Sequence, residues 1–310
     1  MSDPLRIALI GQAAFGESVL NALIEKSEEV VAVFCPPARE GRPDDALKSA
    51  ADRHGVPVYQ FKRMRDGEAI EAYRALDADL GVMAFVTDIV PEEILGASTR
   101  GTIQYHPSLL PKHRGPSSIN WPIIQGESET GLSIFWPDAG LDTGPILLQK
   151  GVEIAPDDTL GTLYFNKLFS LGVEAMVESV EMVRNGTAPR LEQDESQATY
   201  EGWCKAEHCV VDWGKPIGET YNLIRGADPS PGAGTTHSGD TLQLYNASKS
   251  DEDTGADAGV VVEVAEAGLR VAAPGGSLLI GRVKPQGGGK VSAQEWAASA
   301  GVSSGDRLGT

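Results

Sequence analysis

A histidine, His106, stands directly after a short apolar run. It opens a loop punctuated by proline and glycine: Gln104-Tyr105-His106-Pro107-Ser108-Leu109-Leu110-Pro111-Lys112-His113-Arg114-Gly115. Some three dozen residues later, the turn Gly140-Leu141-Asp142-Thr143-Gly144 carries a carboxylate. Imidazole titrates near neutral pH, and a carboxylate can take a proton or orient a neighbouring ring. Together they point to proton-transfer chemistry carried on loops, where most catalytic groups sit. Each has a plainer alternative. A histidine can simply hold its own loop together, and Asp before Thr-Gly is ordinary turn chemistry. Position favours a functional His106, because residues 101–105 read as a strand that ends at it. Pro107 and Pro111 restrict the loop on either side of Leu109-Leu110.

Such loops need a scaffold, and the order of elements predicts one. Residues 6–10 form a short apolar strand closed by Gly11, and residues 16–24 have helical spacing. Strands at 30–34, 56–59 and 80–85 alternate with helices at 44–54 and 69–76. This alternation predicts a Rossmann-like, mostly parallel sheet with helices on both faces and the functional loops at its carboxyl edge. Residues 131–136 and 145–153 read as two further strands around the Asp142 turn. Asp157-Asp158-Thr159 caps a long helical pattern that Asn185-Gly186 ends near residue 184. The polar stretch 187–197 reads as a linker. Past residue 205, short strands at 242–245, 260–264, 269–272 and 278–283 predict a small OB-like β-barrel. The acidic stretch 248–258 reads as a mobile loop. Ser292-Ala293-Gln294-Glu295 is a capping box opening a terminal helix. The expected domains are 1–205 and 206–310.

Composition bounds the reading further. The chain has 310 residues, near the limit for a single core. Hydrophobic residues are 41% and charged residues 23%, an ordinary globular mixture. No apolar run is long enough to span a bilayer. The segment Met1-Ser2-Asp3-Pro4-Leu5-Arg6 lacks the basic and apolar regions of a secretory signal. Three scattered cysteines do not make a disulfide framework, so a reducing cytoplasm is expected. A net charge of −18 disfavours nucleic acid and anionic membranes as partners. The basic clusters, Lys62-Arg63-Met64-Arg65 and Lys112-His113-Arg114, are small.

Three other motifs read better as structure. Gly11-Gln12-Ala13-Ala14-Phe15-Gly16 lacks the second glycine of a dinucleotide fingerprint and the Lys-Ser/Thr of a P-loop, so no NAD is expected there. Cys204-Lys205-Ala206-Glu207-His208-Cys209 matches no usual zinc spacing, so no metal is expected. Cys35 reads as a small buried hydrophobe.

The histidine loop followed by Gly-Leu-Asp-Thr-Gly resembles the folate-dependent formyltransferase superfamily. Ile10-Gly11-Gln12, Ile119-Asn120-Trp121, Ile134-Phe135-Trp136, Leu147-Leu148-Gln149-Lys150, Ala198-Thr199-Tyr200-Glu201-Gly202 and Ile224-Arg225-Gly226 carry the likeness over nearly the whole chain. It is most similar to the N-terminal hydrolase domain of 10-formyltetrahydrofolate dehydrogenase. The 310 residues contain no counterpart of that enzyme's carrier-protein or aldehyde-dehydrogenase parts. The resemblance implies a formyltransferase fold, with 10-formyltetrahydrofolate or tetrahydrofolate as the bound small molecule. It implies that His106 polarises the formyl group and protonates the departing amine. It also implies that Asp142 orients His106 and handles protons on the nucleophile, that backbone groups of Asp88, Ile89 and Val90, in the loop 84–90, bind the pterin, and that Asp142 also faces the folate.

One position departs from the pattern. Formyl-transferring members carry Asn-x-His, where the asparagine holds the formyl oxygen. Here the triplet begins with Gln104, and in the hydrolase domain the residue is apolar. Glutamine can still donate, but its extra methylene displaces the amide on a scale that can cost about a hundredfold in rate. The expected function is hydrolysis of 10-formyltetrahydrofolate to tetrahydrofolate and formate. The alternatives are formyl transfer to a small-molecule amine or to methionyl-tRNA, and a folate-binding regulatory protein without turnover. A homo-oligomer is compatible with the sequence.

Overall fold

The protein is described by a computed structural model covering residues 4–38 and 40–309. The expectation concerning Met1, Ser2 and Asp3 lies outside the described residues. The strands and helices, in chain order, are β1 (Arg6–Gly11), α1 (Ala13–Glu25), β2 (Glu29–Phe34), α2 (Ala46–His54), β3 (Val58–Tyr59), α3 (Gly67–Arg74), β4 (Leu80–Ala84) and α4 (Glu92–Leu95). There follow β5 (Thr102–His106), α5 (Asn120–Ile124), β6 (Glu129–Phe135), β7 (Ile146–Glu153), α6 (Leu160–Leu163) and α7 (Phe169–Arg184). Last come α8 (Ile217–Gly226), β8 (Ala233–His237), β9 (Asp240–Ser250), β10 (Val261–Ala265), β11 (Gly268–Ala273), β12 (Gly276–Pro285), β13 (Val291–Ser292) and α9 (Ala293–Ala300). The chain divides into two units. One takes residues up to 115, 131–151 and 167–200, and the other takes 116–130, 152–166 and the residues from 201 on.

The first unit is built on a seven-stranded sheet in the order β3-β2-β1-β4-β5-β6-β7. The pairs among β3, β2, β1, β4 and β5 are parallel, and β5 pairs with β6 antiparallel. Strand order reverses at β1, with β2 on one side and β4 on the other, so the crevice beyond their carboxyl ends opens here. Successive residues of β1 feed opposite cores. Ile7 and Leu9 pack with Phe15, Leu20 and Met176, while Ala8 and Ile10 pack with Phe34, Tyr73 and Ile94. The predicted Rossmann-like α/β sheet, covered on both faces, is therefore present.

The turn from β1 into α1 needs glycine. A Cβ on Gly11 would lie 2.4 Å from the Ala84 carbonyl oxygen of β4. The amino end of α1 already holds an anion of the chain's own. The Asp45 carboxylate accepts from the Ala13 N–H at 2.9 and 3.0 Å and from the Leu47 N–H at 2.9 Å, capping α2 as well.

The helix predicted to run unbroken from Thr159 to residue 184 is interrupted. Thr159 and Thr162 form the capping box of α6, and a π-helical turn, Tyr164–Leu168, separates α6 from α7. A π turn inserts an extra residue, which a 3.6-residue period cannot reveal.

The second unit contains a six-stranded antiparallel sheet, with β10-β11-β12-β9-β8 in order and β13 on β12. Its core gathers Trp213, Leu244, Val271, Ile280 and Trp296. Ser292 and Glu295 make both bonds of the predicted capping box on α9. β9 runs on to Ser250, past the predicted start of the acidic loop. β8, with its Ala-Gly-Thr-Thr-His sequence, gave no alternating apolar signal.

Candidate active site

His106 is the last residue of β5, and it is buried at 6% exposure. Its Nε2 lies 2.9 Å from the His113 carbonyl oxygen. A carbonyl can only accept, so we assign the proton to Nε2. Nδ1 then points to the Asp142 carboxylate, with Oδ2 at 3.6 Å. That distance exceeds a direct charge-assisted hydrogen bond but keeps the two groups within strong electrostatic reach. The contact is complementary when Nδ1 also carries a proton, because a bare Nδ1 lone pair would face an anion.

Asp142 sits in the turn between β6 and β7, 8% exposed, with a left-handed φ of 57°. Such a backbone is costly for a non-glycine residue and persists only where its surroundings impose it. Several contacts do so here. Oδ2 accepts from the Gly115 N–H at 2.8 Å. Asp138 Oδ1 accepts from the Gly140 N–H at 3.0 Å and from the Thr143 hydroxyl at 2.6 Å. A Cβ at Gly144 would meet the Trp136 carbonyl oxygen at 1.8 Å, so only glycine closes this turn.

The loop between His106 and Gly115 is held by hydroxyl and amide side chains. Ser108 donates to the Lys112 carbonyl at 2.6 Å. Ser133 of β6 donates to the Ser108 carbonyl at 2.7 Å and accepts from the Leu110 N–H at 3.0 Å. Gln149 of β7 donates to Ser133 Oγ at 2.9 Å and to the Leu110 carbonyl at 2.8 Å. The Ser133 hydroxyl thus uses its one donor and both acceptor positions.

The segment 187–197, expected as a linker, is a structural part of this site. Leu191 exchanges backbone hydrogen bonds with Ile146, and a 3-10 turn spans Glu195–Gln197. Gln193 Oε1 accepts from Arg114 Nε at 3.1 Å and Nη2 at 2.8 Å. Gln193 Nε2 donates to the carbonyls of Asp142 at 2.9 Å and Gly144 at 2.7 Å. Arg114 is fully buried and also donates to Tyr200 and to both oxygens of Glu195, at 3.0 and 2.6 Å. The bonded Glu195 holds the guanidinium above its usual range, and Arg114 in turn holds the Glu195 carboxyl below its own. Arg114 is therefore no part of a surface basic patch. Thr199 accepts from the His113 N–H at 2.8 Å through Oγ1 and from the Arg114 N–H at 3.0 Å through its carbonyl.

The other sequence-predicted residues fall as follows. Gln104 lies two places before His106 on β5 and so on the same strand face, half-buried. Asp88, Ile89 and Val90 follow β4, the sheet neighbour of β5. The Asp88 carboxylate shapes that loop, accepting from the Met64 N–H at 2.7 Å and the Ile89 N–H at 2.9 Å. The Ile89 backbone donor is thus engaged within the loop, while its side chain is 71% exposed. Sequence reasoning missed Gln193, Ser133 and Thr199 as supports. Serine and glutamine in polar or strand contexts carry no signal of their own; the only hint for Thr199 was its place in a family-like stretch. Among the described residues, no group of three or more His, Cys, Asp or Glu side chains could hold a metal ion. No described helix is long and apolar enough to cross a membrane.

The first unit is thus an α/β fold whose mostly parallel sheet carries a buried imidazole–carboxylate pair at the end of β5 and in the turn between β6 and β7. The profile of the family described as Formyl transferase matches residues 5–180, and that of its C-terminal domain matches residues 204–301. The chain belongs to the formyl transferase family. It is 44% identical over 251 residues to mouse mitochondrial 10-formyltetrahydrofolate dehydrogenase, covering 79% of this chain but 27% of that protein. Human cytosolic 10-formyltetrahydrofolate dehydrogenase is 45% identical over 78% of this chain and 27% of its own length. The chain thus spans about a quarter of these relatives. Methionyl-tRNA formyltransferase of Trichlorobacter lovleyi is 38% identical over 94% of this chain and 93% of its own. Among solved structures, HypX from Aquifex aeolicus in complex with tetrahydrofolic acid has a TM-score of 0.72 at 18% identity, covering 96% of this chain and 47% of that one.

Proposed function

We propose that the chain binds 10-formyltetrahydrofolate and releases its formyl group to water, giving tetrahydrofolate and formate. The observation that carries the reading is the buried pair itself: His106 Nδ1 and Asp142 Oδ2, 3.6 Å apart, each fixed from behind by a backbone group. Asp142 takes a proton from the attacking water, and the new C–O bond makes a tetrahedral oxyanion at the formyl carbon. The protonated Nδ1 of His106 and the Gln104 amide stabilise that charge. The C–N bond to the folate then breaks, and the departing nitrogen takes the proton from His106. Backbone groups of Asp88 and Val90 and the carbonyl of Ile89 receive the pterin beside exposed Ile89 and Phe85, an apolar edge suited to a flat ring. The likeness to the dehydrogenases named above supports this substrate, and Gln104 in place of the asparagine of the transferring members supports water as acceptor. Transfer to an amine is the second reading, supported by the match to a methionyl-tRNA formyltransferase along nearly its full length.

The test is incubation with 10-formyltetrahydrofolate, with and without candidate amines. Formate released without an acceptor supports hydrolysis, whereas turnover only with an amine supports transfer. His106→Ala and Asp142→Ala should each lower turnover by ~10²–10⁴ while tetrahydrofolate binding is largely kept. Wild-type turnover in either variant would remove that residue from the mechanism.

A further inference from the structure

We propose that Gln193 is a positioning residue and that the segment 193–199 sets the separation of His106 and Asp142. The inference rests on the reading of that pair as catalytic. Gln193 is buried, and its four bonds fill its amide in one orientation only. Rotating the amide by half a turn would set NH₂ against guanidinium and oxygen against two carbonyls. Its donor end grips the carbonyl of Asp142, the residue whose left-handed backbone needs outside support. Its acceptor end grips the side chain of Arg114, one residue past the His113 carbonyl that orients His106. Six residues on, Thr199 holds the backbone of that same carbonyl-bearing segment through the N–H groups of His113 and Arg114.

One short segment therefore fixes both halves of the pair. Asp142 is held by its main chain and His106 by the carbonyl behind it. Neither Gln193 nor Thr199 makes a bond to the imidazole or to the Asp142 carboxylate. Their contribution is the 3.6 Å gap, which keeps the two groups from closing onto each other and leaves both for substrate. Catalysis is sensitive to such spacing, since a misplacement near 1 Å can cost about a hundredfold.

The test compares wild type with Gln193→Met, which keeps the length of the side chain and removes its bonds. Melting curves establish folding first. The expected result is a kcat lower by roughly ten- to a hundredfold with KM for 10-formyltetrahydrofolate changed by less than about threefold. The nitrogen NMR titration of the His106 ring should shift in the free protein. A folded variant with wild-type kcat and an unchanged titration overturns the proposal. If wild type itself neither hydrolyses nor transfers formyl, the functional reading fails, and the NMR titration alone then decides the positioning role. Should Gln193→Met not fold, Thr199→Val, which removes one acceptor from His113, takes its place under the same criteria.

A separate observation lies in the second unit. The thiols of Cys204 and Cys209 are 3.3 Å apart, with Cys209 fully buried and Cys204 partly exposed. We infer that these two residues are a site of reversible disulfide formation. Their mutual contact lowers the Cys204 thiol from its ordinary range and, with burial, raises that of Cys209. Cys204 is the sulfur that an external disulfide can reach, and so the attacking one. Its thiolate attacks a small-molecule disulfide and expels one thiolate. Cys209, its proton passing to the thiolate already expelled, then attacks the mixed disulfide and expels the second. Two protein thiols are oxidised, and one external disulfide is reduced. Treatment with oxidised glutathione should leave one of the three thiols titratable in the unfolded protein, with loss of two hydrogens and a linked Cys204–Cys209 peptide. Three thiols still free, or a stable glutathione adduct on Cys204, would overturn it.

Discussion

His106 and Asp142 acquire meaning from what lies behind them rather than beside them. The His113 carbonyl accepts from Nε2 and orients the ring of one, and the Gly115 N–H fixes the oxygen of the other. Gln104 is the residue where water and amine acceptors should part. If its amide donates to the oxyanion, Gln104→Leu lowers formate release by about 10²–10³. A leucine variant with wild-type release would show that the amide takes no part. Gln104→Asn should shift turnover toward an added amine, measured as formylated product over formate. An unchanged ratio would mean that partition is decided elsewhere.

At the scale of elements, the loop after β5 depends on two hydrogen-bonded anchors. Ser133→Ala removes a hydroxyl with all of its bonds made and leaves the Leu110 N–H and Ser108 carbonyl buried without it. The expected loss is about 1–3 kcal/mol in unfolding free energy, read by denaturant titration. A change below about 0.5 kcal/mol would show that the loop finds other partners. The Arg114–Glu195 contact adds a pH signature. Arg114 holds the Glu195 carboxyl below its ordinary range, so its contribution is complete above the unfolded value of about 4.3 and is lost as pH falls through the lower folded value. The melting-temperature advantage of wild type over Glu195→Gln should therefore shrink below about pH 4.3. An advantage that holds or grows there contradicts the assigned role. None of these supports was legible beforehand. Gln193 meets Arg114 across 79 residues and Asp142 across 51, and such partners have no local signature.

For the whole molecule, a net charge of −18 implies self-repulsion that salt relieves. Raising ionic strength from about 0.01 to 0.15 M shortens the screening length from roughly 30 to 8 Å and should raise the melting temperature. A fall would show that local ion pairs outweigh the net field. By itself the sequence determined what is encoded over a few residues. The alternation of strands and helices, the caps at Thr159 and Ser292, and the loops bearing His106 and Asp142 all follow from short-range periodicity and turn chemistry. Only the tertiary structure decided that the stretch read as a linker is a support of the active site, that the long helix carries a π turn, and that Arg114 is buried. The π turn is a local insertion that a 3.6-residue period does not show; the other two depend on hydrogen bonds and packing between residues far apart in the chain, which have no energy until the sheet has brought them together.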